Sequence, residues 1–302
     1  MRIGMSLAEP AGPGALTELS DRLRQAADDG LASAWLSNIF GLDALTALAV
    51  AGRQVPGIEL GTAVVPTYPR HPAALAQQAL TVALAVGGRL TLGIGLSHKM
   101  VIDDMFGYSF ERPARHMSEY LSVLLPLLDG ENTDFTGETM RAKIGLSVPR
   151  LGRVPVLLAA MAPAMLRLAG QRADGTVLWM TGPATVREYI VPTIRQAAAA
   201  AGRPAPRVVC SLPVCVTGDP ERARSQAARA FAIYGQLPSY RAMLDREGAT
   251  GPADLAITGD EGTVGEQIMA LAEAGVTDFV ALEFARGEDA KRTRALLKSL
   301  LR

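Results

Sequence analysis

Histidine, cysteine and lysine are scarce in this chain, and their placement limits its chemistry. Only three histidines occur, His71, His98 and His116. None stands at metal-ligand spacing with a cysteine or another histidine, so a metal centre is not expected. The lysines are Lys99, Lys143, Lys291 and Lys298. None falls in a stretch that reads as a barrel strand, so a desolvated lysine for Schiff-base chemistry is not expected either. Cys210 and Cys215 lie on one strand-like run at an odd offset, which turns them to opposite faces and argues against a disulfide. Gly93-Ile94-Gly95 follows a strand-like run, but His98 stands where the third glycine of a dinucleotide fingerprint belongs. There is no Gly-x-x-x-x-Gly-Lys loop, and Gly145-Leu146-Ser147-Val148-Pro149 fails as a nucleophile elbow at its last position. What remains is a chain with few acid–base groups, the profile of a protein whose cofactor carries the hard chemistry.

The composition sets the outer limits. The chain has 302 residues, 49% of them apolar, with 30 basic and 30 acidic side chains. That is the make-up of an ordinary globular protein. The zero net charge lacks the basic footprint of a nucleic-acid binder, and it removes bulk charge as a guide to substrate. The longest apolar-looking run, from Ala73 to Val86, is broken by Gln77, Gln78 and Thr81. It is well short of the ~20 apolar residues that span a bilayer. Met1-Arg2-Ile3-Gly4-Met5 leads straight into a strand-like pattern, without a targeting segment. A cytoplasmic protein without membrane or nucleic-acid partners is expected.

The elements that must position any site alternate between strand and helix. Strands are expected at Arg2–Leu7, Ser33–Asn38, Ile58–Val65, Leu90–Leu96, Val154–Ala160, Thr176–Met180, Arg207–Thr217 and Thr277–Phe284. A helical stretch follows each; Pro72 to Val86, for example, opens on proline and closes at Gly87-Gly88. Eight strand–helix units predict a parallel (β/α)8 TIM barrel formed by residues 1–302 as one domain. The alternative is an open doubly wound sheet, which periodicity does not separate from a closed one. Two stretches exceed normal connections: 129–153, after the fourth unit, and 218–262, after strand seven. Each reads as a functional lid or as decoration.

Several segments, taken in order, resemble the bacterial luciferase-like flavin and deazaflavin oxidoreductases, and most of all their coenzyme F420-dependent branch. They are Ser33-Ala34-Trp35-Leu36-Ser37-Asn38, Leu60 to Pro72, Gly88 to His98, Val156 to Pro163, and Ala173-Asp174-Gly175. The resemblance covers nearly the whole chain. It implies hydride transfer between C5 of F420 and a small organic substrate. The alternatives are an FMN-dependent monooxygenase or reductase on the same fold, or a non-catalytic flavin- or F420-binding protein. It also implies a homodimer.

By the same resemblance the cofactor phosphate and ribityl chain sit at Ala160, Met161, Ala162, Ala164 and Met165. Here a strand end passes into a helix start, whose free N–H groups suit an anion. A non-proline cis peptide maps to Ala63-Val64, behind the central ring, with Val65 and Pro66 in the loop that holds it. Strand four ends in Leu96-Ser97-His98, where several F420 enzymes place an acidic residue that moves a proton. His98 matches it and is expected either to take that role or to hydrogen-bond the cofactor. Asn38-Ile39 replaces the Asp-His pair of the sugar-phosphate dehydrogenases, which argues against that substrate and leaves Asn38 to hydrogen-bond the cofactor. Further strand-end candidates are Ser6, Glu9, Trp179, Met180 and Glu283, with Arg70 and Arg286 as cations for an anionic tail. His71 and His116 are expected to be structural.

Overall fold

In the first strand, β1 (Arg2–Ser6), Ile3 and Met5 point outward into a large apolar shell, and Arg2, Gly4 and Ser6 take the opposite face. The computed structural model describes residues 1–301 and repeats this alternation around a closed sheet. The other staves are β2 (Ser33–Leu36), β3 (Glu59–Thr62), β5 (Leu90–Gly95), β8 (Val156–Ala159), β9 (Gly175–Trp179), β10 (Arg207–Val216) and β12 (Asp278–Glu283). Between them lie the short β4 (Val65–Pro66) and β11 (Ile257–Gly259), and the hairpin β6 (Thr133–Thr136) and β7 (Arg141–Ile144). All staves are parallel, in the order β1-β2-β3-β5-β8-β9-β10-β12. The ring closes because β12 pairs with both β1 (Arg2↔Asp278) and β10 (Val209↔Asp278). That closure decides between barrel and open sheet.

The helices are α1 (Ala15–Asp28), α2 (Ala44–Gly52), α3 (Pro72–Ala85), α4 (Pro113–Leu128), α5 (Pro163–Arg172), α6 (Pro183–Thr185), α7 (Val191–Ala200), α8 (Pro220–Ala230), α9 (Pro238–Glu247), α10 (Glu261–Glu273) and α11 (Glu288–Ser299). Their starts are chemically marked. Proline opens α3, α4, α5 and α8. Asp43, Asp219 and Asp260 accept the N–H of Thr46, Arg222 and Thr263, capping α2, α8 and α10.

Inside the barrel, two layers fill the lower part. At the N-terminal end of the strands, Arg207 pairs with Glu59 (3.0 Å) and Asp278 (2.7 Å), and Arg2 pairs with the same two carboxylates. Above this ionic plug, Trp35, Leu157, Val177, Val209 and Val280 form an apolar cluster separate from the helical shell. The Trp35 indole donates to Ser33 Oγ at 2.8 Å. A Cβ at Gly61 would collide with the Trp35 ring, so only glycine admits the indole there.

Three features depart from the expected elements. Strand three, expected to be continuous, is broken into β3 and β4, and the break carries the cis Ala63–Val64 peptide that was expected. Across that break Thr62 replaces the lost ladder bonds: its hydroxyl donates to Gly93 O (2.7 Å) and accepts from Gly93 N (2.9 Å). A π-helical segment, Met100–Met105, follows β5. In the second insertion β11 pairs in parallel with β10, a three-residue strand too short to show a periodicity. Both cysteines are buried and free.

Candidate active site at the barrel mouth

Above the Trp35 layer the inward positions turn small. By alternation Ser6, Gly95 and Ala159 face the axis at the C-terminal strand ends, and Ala63 and Val64 pack onto the apolar cluster beneath. A Cβ at Gly95 would lie 2.6 Å from Val64 Cγ2 and 3.1 Å from the Ala159 methyl. The result is a floor of backbone and small side chains, the surface that a flat ring system needs. Two non-glycine residues at strand ends beside it hold left-handed backbone: Ser97 (φ 62°) and Met180 (φ 50°). Such conformations cost about 1–3 kcal/mol each and concentrate at ligand sites.

One wall of the mouth is an arc of aromatic rings. Phe284, after β12, meets Phe231 at 6.1 Å between centroids, and Phe231 meets Trp179 of β9 at 5.7 Å. Trp179 contacts Tyr234 (5.6 Å), Tyr234 contacts Tyr240 (5.0 Å), and Tyr240 reaches His98 (5.6 Å). Phe231, Tyr234 and Tyr240 all come from the second insertion, so this excursion builds the site wall. Burial pushes the Tyr240 hydroxyl far above its ordinary range and holds the His98 imidazole below its ordinary value. The His98 carbonyl accepts from Val101 and Ile102 and starts the π segment.

The helix α5 begins beside the mouth with its first backbone N–H groups uncapped. Ala162, Pro163 and Ala164 are exposed at its start. The Tyr189 hydroxyl donates to Met161 O at 2.9 Å, and the Arg246 guanidinium lies 4.0 Å over the Tyr189 ring. Burial raises the pKa of this phenol, and Arg246 and Arg167 work against the rise. Three buried polar atoms at this end of the barrel have no hydrogen-bond partner: Glu9 Oε1, Tyr68 Oη and Trp179 Nε1. Burial raises the pKa of the neighbouring Tyr234 hydroxyl, and Trp179 beside it works against the rise. Small floor, free amides and orphaned polar atoms together fit a tricyclic ring carrying a phosphate.

The expected residues divide by burial. Ala63, Val64, Leu96, Ser97, His98, Met161, Ala162 and Ala164 are at or beside the mouth and retain exposure. The side chains of Val65, Ala160 and Met165 are buried in the shell, so only their backbone is available. Pro66 is part-buried in β4. Asn38 Oδ1 accepts the Ala44 N–H at the start of α2, which leaves its amide N–H groups for a ligand. Among the further candidates, Met180 is buried in the shell, Glu283 is held by Arg294 and Arg70 by Asp43. His71 Nδ1 accepts from Ala73 N at the head of α3. His116 is stacked on Tyr68 at 3.9 Å and bonded to Thr67 Oγ1 at 3.1 Å. Both are structural, as their positions implied. The arc rings Phe231, Tyr234 and Tyr240 were missed; their only signal was aromatic residues recurring in an otherwise polar insertion.

A cleft of about 380 Å³ lies elsewhere, outside β10, lined by Leu212, Leu255, Ile257 and Leu271 among others. Leu212 belongs to the helical shell, and the nearby Glu247 carboxylate is spent on the N–H groups of Ala184 and Thr185. Its groups do structural work, so the mouth is the better site.

The luciferase-like monooxygenase profile matches residues 1–278, and the chain belongs to that family. It is 30% identical over 254 residues to the 5,10-methylenetetrahydromethanopterin reductase of Archaeoglobus fulgidus, an alignment covering 80% of this chain and 72% of that protein. The fold superposes on the coenzyme F420-dependent tetrahydromethanopterin reductase of Methanopyrus kandleri with a TM-score of 0.83. The identity is 22%, over 98% of this chain and 97% of that one. An F420-dependent secondary alcohol dehydrogenase bound to an F420–acetone adduct gives the same TM-score, 0.83. The identity there is 18%, over 99% and 97% of the chains. Among the described residues no helix is long and apolar enough to cross a membrane.

Proposed function

We propose that this protein is an oxidoreductase that moves a hydride between coenzyme F420 and a small organic substrate. The observation that carries the reading is the uncapped α5 N-terminus, backed by Tyr189 and Arg246, beside a cleared floor at the barrel mouth. Its relatives add support: one is a reductase, and two structural neighbours are named for F420. When bound, the deazaflavin supplies or takes the hydride at C5.

The chain's own residues do the rest. Backbone N–H groups of Ala164 and Met165, with Arg246 nearby, hold the phosphate. Met161 and Ala160 border the ribityl chain through backbone. Ala63, Val64 and Gly95 support the ring, with Val65 and Pro66 fixing the loop behind it. Leu96 and Ser97 shape its edge, and the Asn38 amide donates to it. The aromatic arc excludes water on one side. His98, kept neutral by burial, takes a proton at an imidazole nitrogen as substrate is oxidised. Glu9 is the second candidate, because its buried Oε1 has no partner. We place this single-barrel protein in the cytoplasm as a homodimer, which sedimentation at several concentrations checks.

The test is titration with F420 and, separately, FMN, followed by cofactor fluorescence. Binding of F420 alone supports the reading. Preference for FMN moves the protein to the monooxygenase branch, and binding of neither overturns the cofactor assignment. In single-turnover hydride transfer, His98→Asn should lose about 10²-fold with F420 affinity intact. The sign with pH follows from the lowered imidazole pKa. Substrate oxidation rises with pH through a value below the ordinary 6.5 of histidine and is flat above it. If His98→Asn is silent and Glu9→Gln carries the loss, the proton belongs to Glu9. If neither variant alters turnover, both assignments are wrong, and a protein that binds F420 without any turnover is a carrier.

A further inference from the structure

The loops after β2 and β5 carry an apolar lip on the same end of the barrel as the site. Ile39, Phe40, Met105, Phe106 and Tyr108 are between 42% and 63% exposed. Phe40 and Phe106 meet edge to face, 6.5 Å apart, which joins the two loops into one surface. Large apolar side chains grouped this way at the rim of a cleft mark a ligand surface.

The charges around the lip narrow what it receives. Lys99 is held by Asp103 and Arg112 by Glu138. Arg70, on the loop after β4, is held by Asp43. Among the described residues Asp104 and Glu111 have no ion-pair partner, and Glu9 lies beneath the lip, packed against Gly41. The uncompensated charge here is negative. An anionic substrate would be repelled on this side, whereas the anion site at α5 lies on another stave.

Resting on the reading of the mouth as an F420 site, we propose that the lip is the substrate side of that site and that the substrate is an uncharged, flat, largely apolar molecule. Its ring would pack against Phe40 and Phe106, with Met105 filling the gaps. Phosphorylated sugars are excluded on charge.

The test uses menadione as the uncharged probe and glucose 6-phosphate as the anionic one, in calorimetric titrations of the F420-loaded protein. The variant is Phe40→Ser/Phe106→Ser, both positions being exposed, with Phe40→Ser alone as a milder control. F420 affinity is measured for every variant. Menadione should bind the wild type and bind the double variant about tenfold or more weakly, with F420 affinity changed less than about twofold. Glucose 6-phosphate should not bind. Menadione binding that is absent or indifferent to both substitutions overturns the proposal, as does preferred binding of glucose 6-phosphate. A self-association of the wild type that the double variant abolishes also overturns it, assigning the lip to a second copy of the chain. Menadione binding to a protein that fails to bind F420 and loses menadione in the double variant upholds the lip and rejects the cofactor reading instead.

Discussion

Gly95 shows how a single side-chain position controls the site. Its neighbours Val64 and Ala159 leave no room for a methyl group, and Val64 is β-branched and stiff. Gly95→Ala should destabilise the protein by about 1–3 kcal/mol in denaturant unfolding and weaken F420 binding in the same variant. His116 makes a different demand. Burial lowers its pKa to about 4, and the nearby Glu119 opposes this only in part. The unfolded chain takes up its proton near 6.5, so it binds more protons than the native state between those values. Stability is therefore full above about pH 6.5 and falls as pH drops toward about 4. Urea midpoints at pH 7 and pH 5 should differ in that direction, and His116→Gln should flatten the difference. A midpoint that holds between the two pH values would show that the ring tolerates its charge.

At the scale of elements, the second insertion depends on one carboxylate for its seat. Glu247, the last residue of α9, accepts from Ala184 N at 3.0 Å and Thr185 N at 2.7 Å and so caps α6 from a distance. Both bonds are charge-assisted, and α9 also carries Tyr240 against His98. Glu247→Ala should cost about 2 kcal/mol and increase protease cleavage within 230–250, with the barrel strands unchanged by amide exchange. Unaltered cleavage would mean that the aromatic arc alone seats the insertion. The first insertion is clipped by similar chemistry: Glu119 of α4 accepts the N–H groups of Glu138 and Thr139 at the tip of the β6–β7 hairpin.

Across the whole molecule, closure of the barrel brings charges from four strands together around one buried carboxylate. Asp278 has only 2% of its side chain exposed and depends on Arg207 and Arg2. Arg207→Leu leaves that carboxylate short of a partner and should cost about 3 kcal/mol or more. Arg207→Leu/Asp278→Leu should recover much of the loss, which chemical denaturation of the two variants checks. No recovery would mean that Arg2 and Glu59 need the pair in place.

The sequence by itself determined the eight staves, their helices and the positions of the two insertions. These follow from local periodicity, proline starts and glycine stops, which act within one turn or one strand. It also placed Met161, Ala162, Ala164 and His98 at strand ends, because strand ends are local features. Only the tertiary structure decided closure, which requires the last strand, at Asp278, to pair with the first, at Arg2, as well as with β10 at Val209. The tertiary structure alone also set the direction of Val65 and Ala160, since a one-residue step along a strand exchanges mouth for shell, and of Met165, which the face of α5 turns into the shell. The aromatic arc and the ionic plug join residues far apart in the chain. The contacts of Trp179, Phe284 and His98 with the insertion rings, and every pair in the plug, span too much chain for one window to hold both partners.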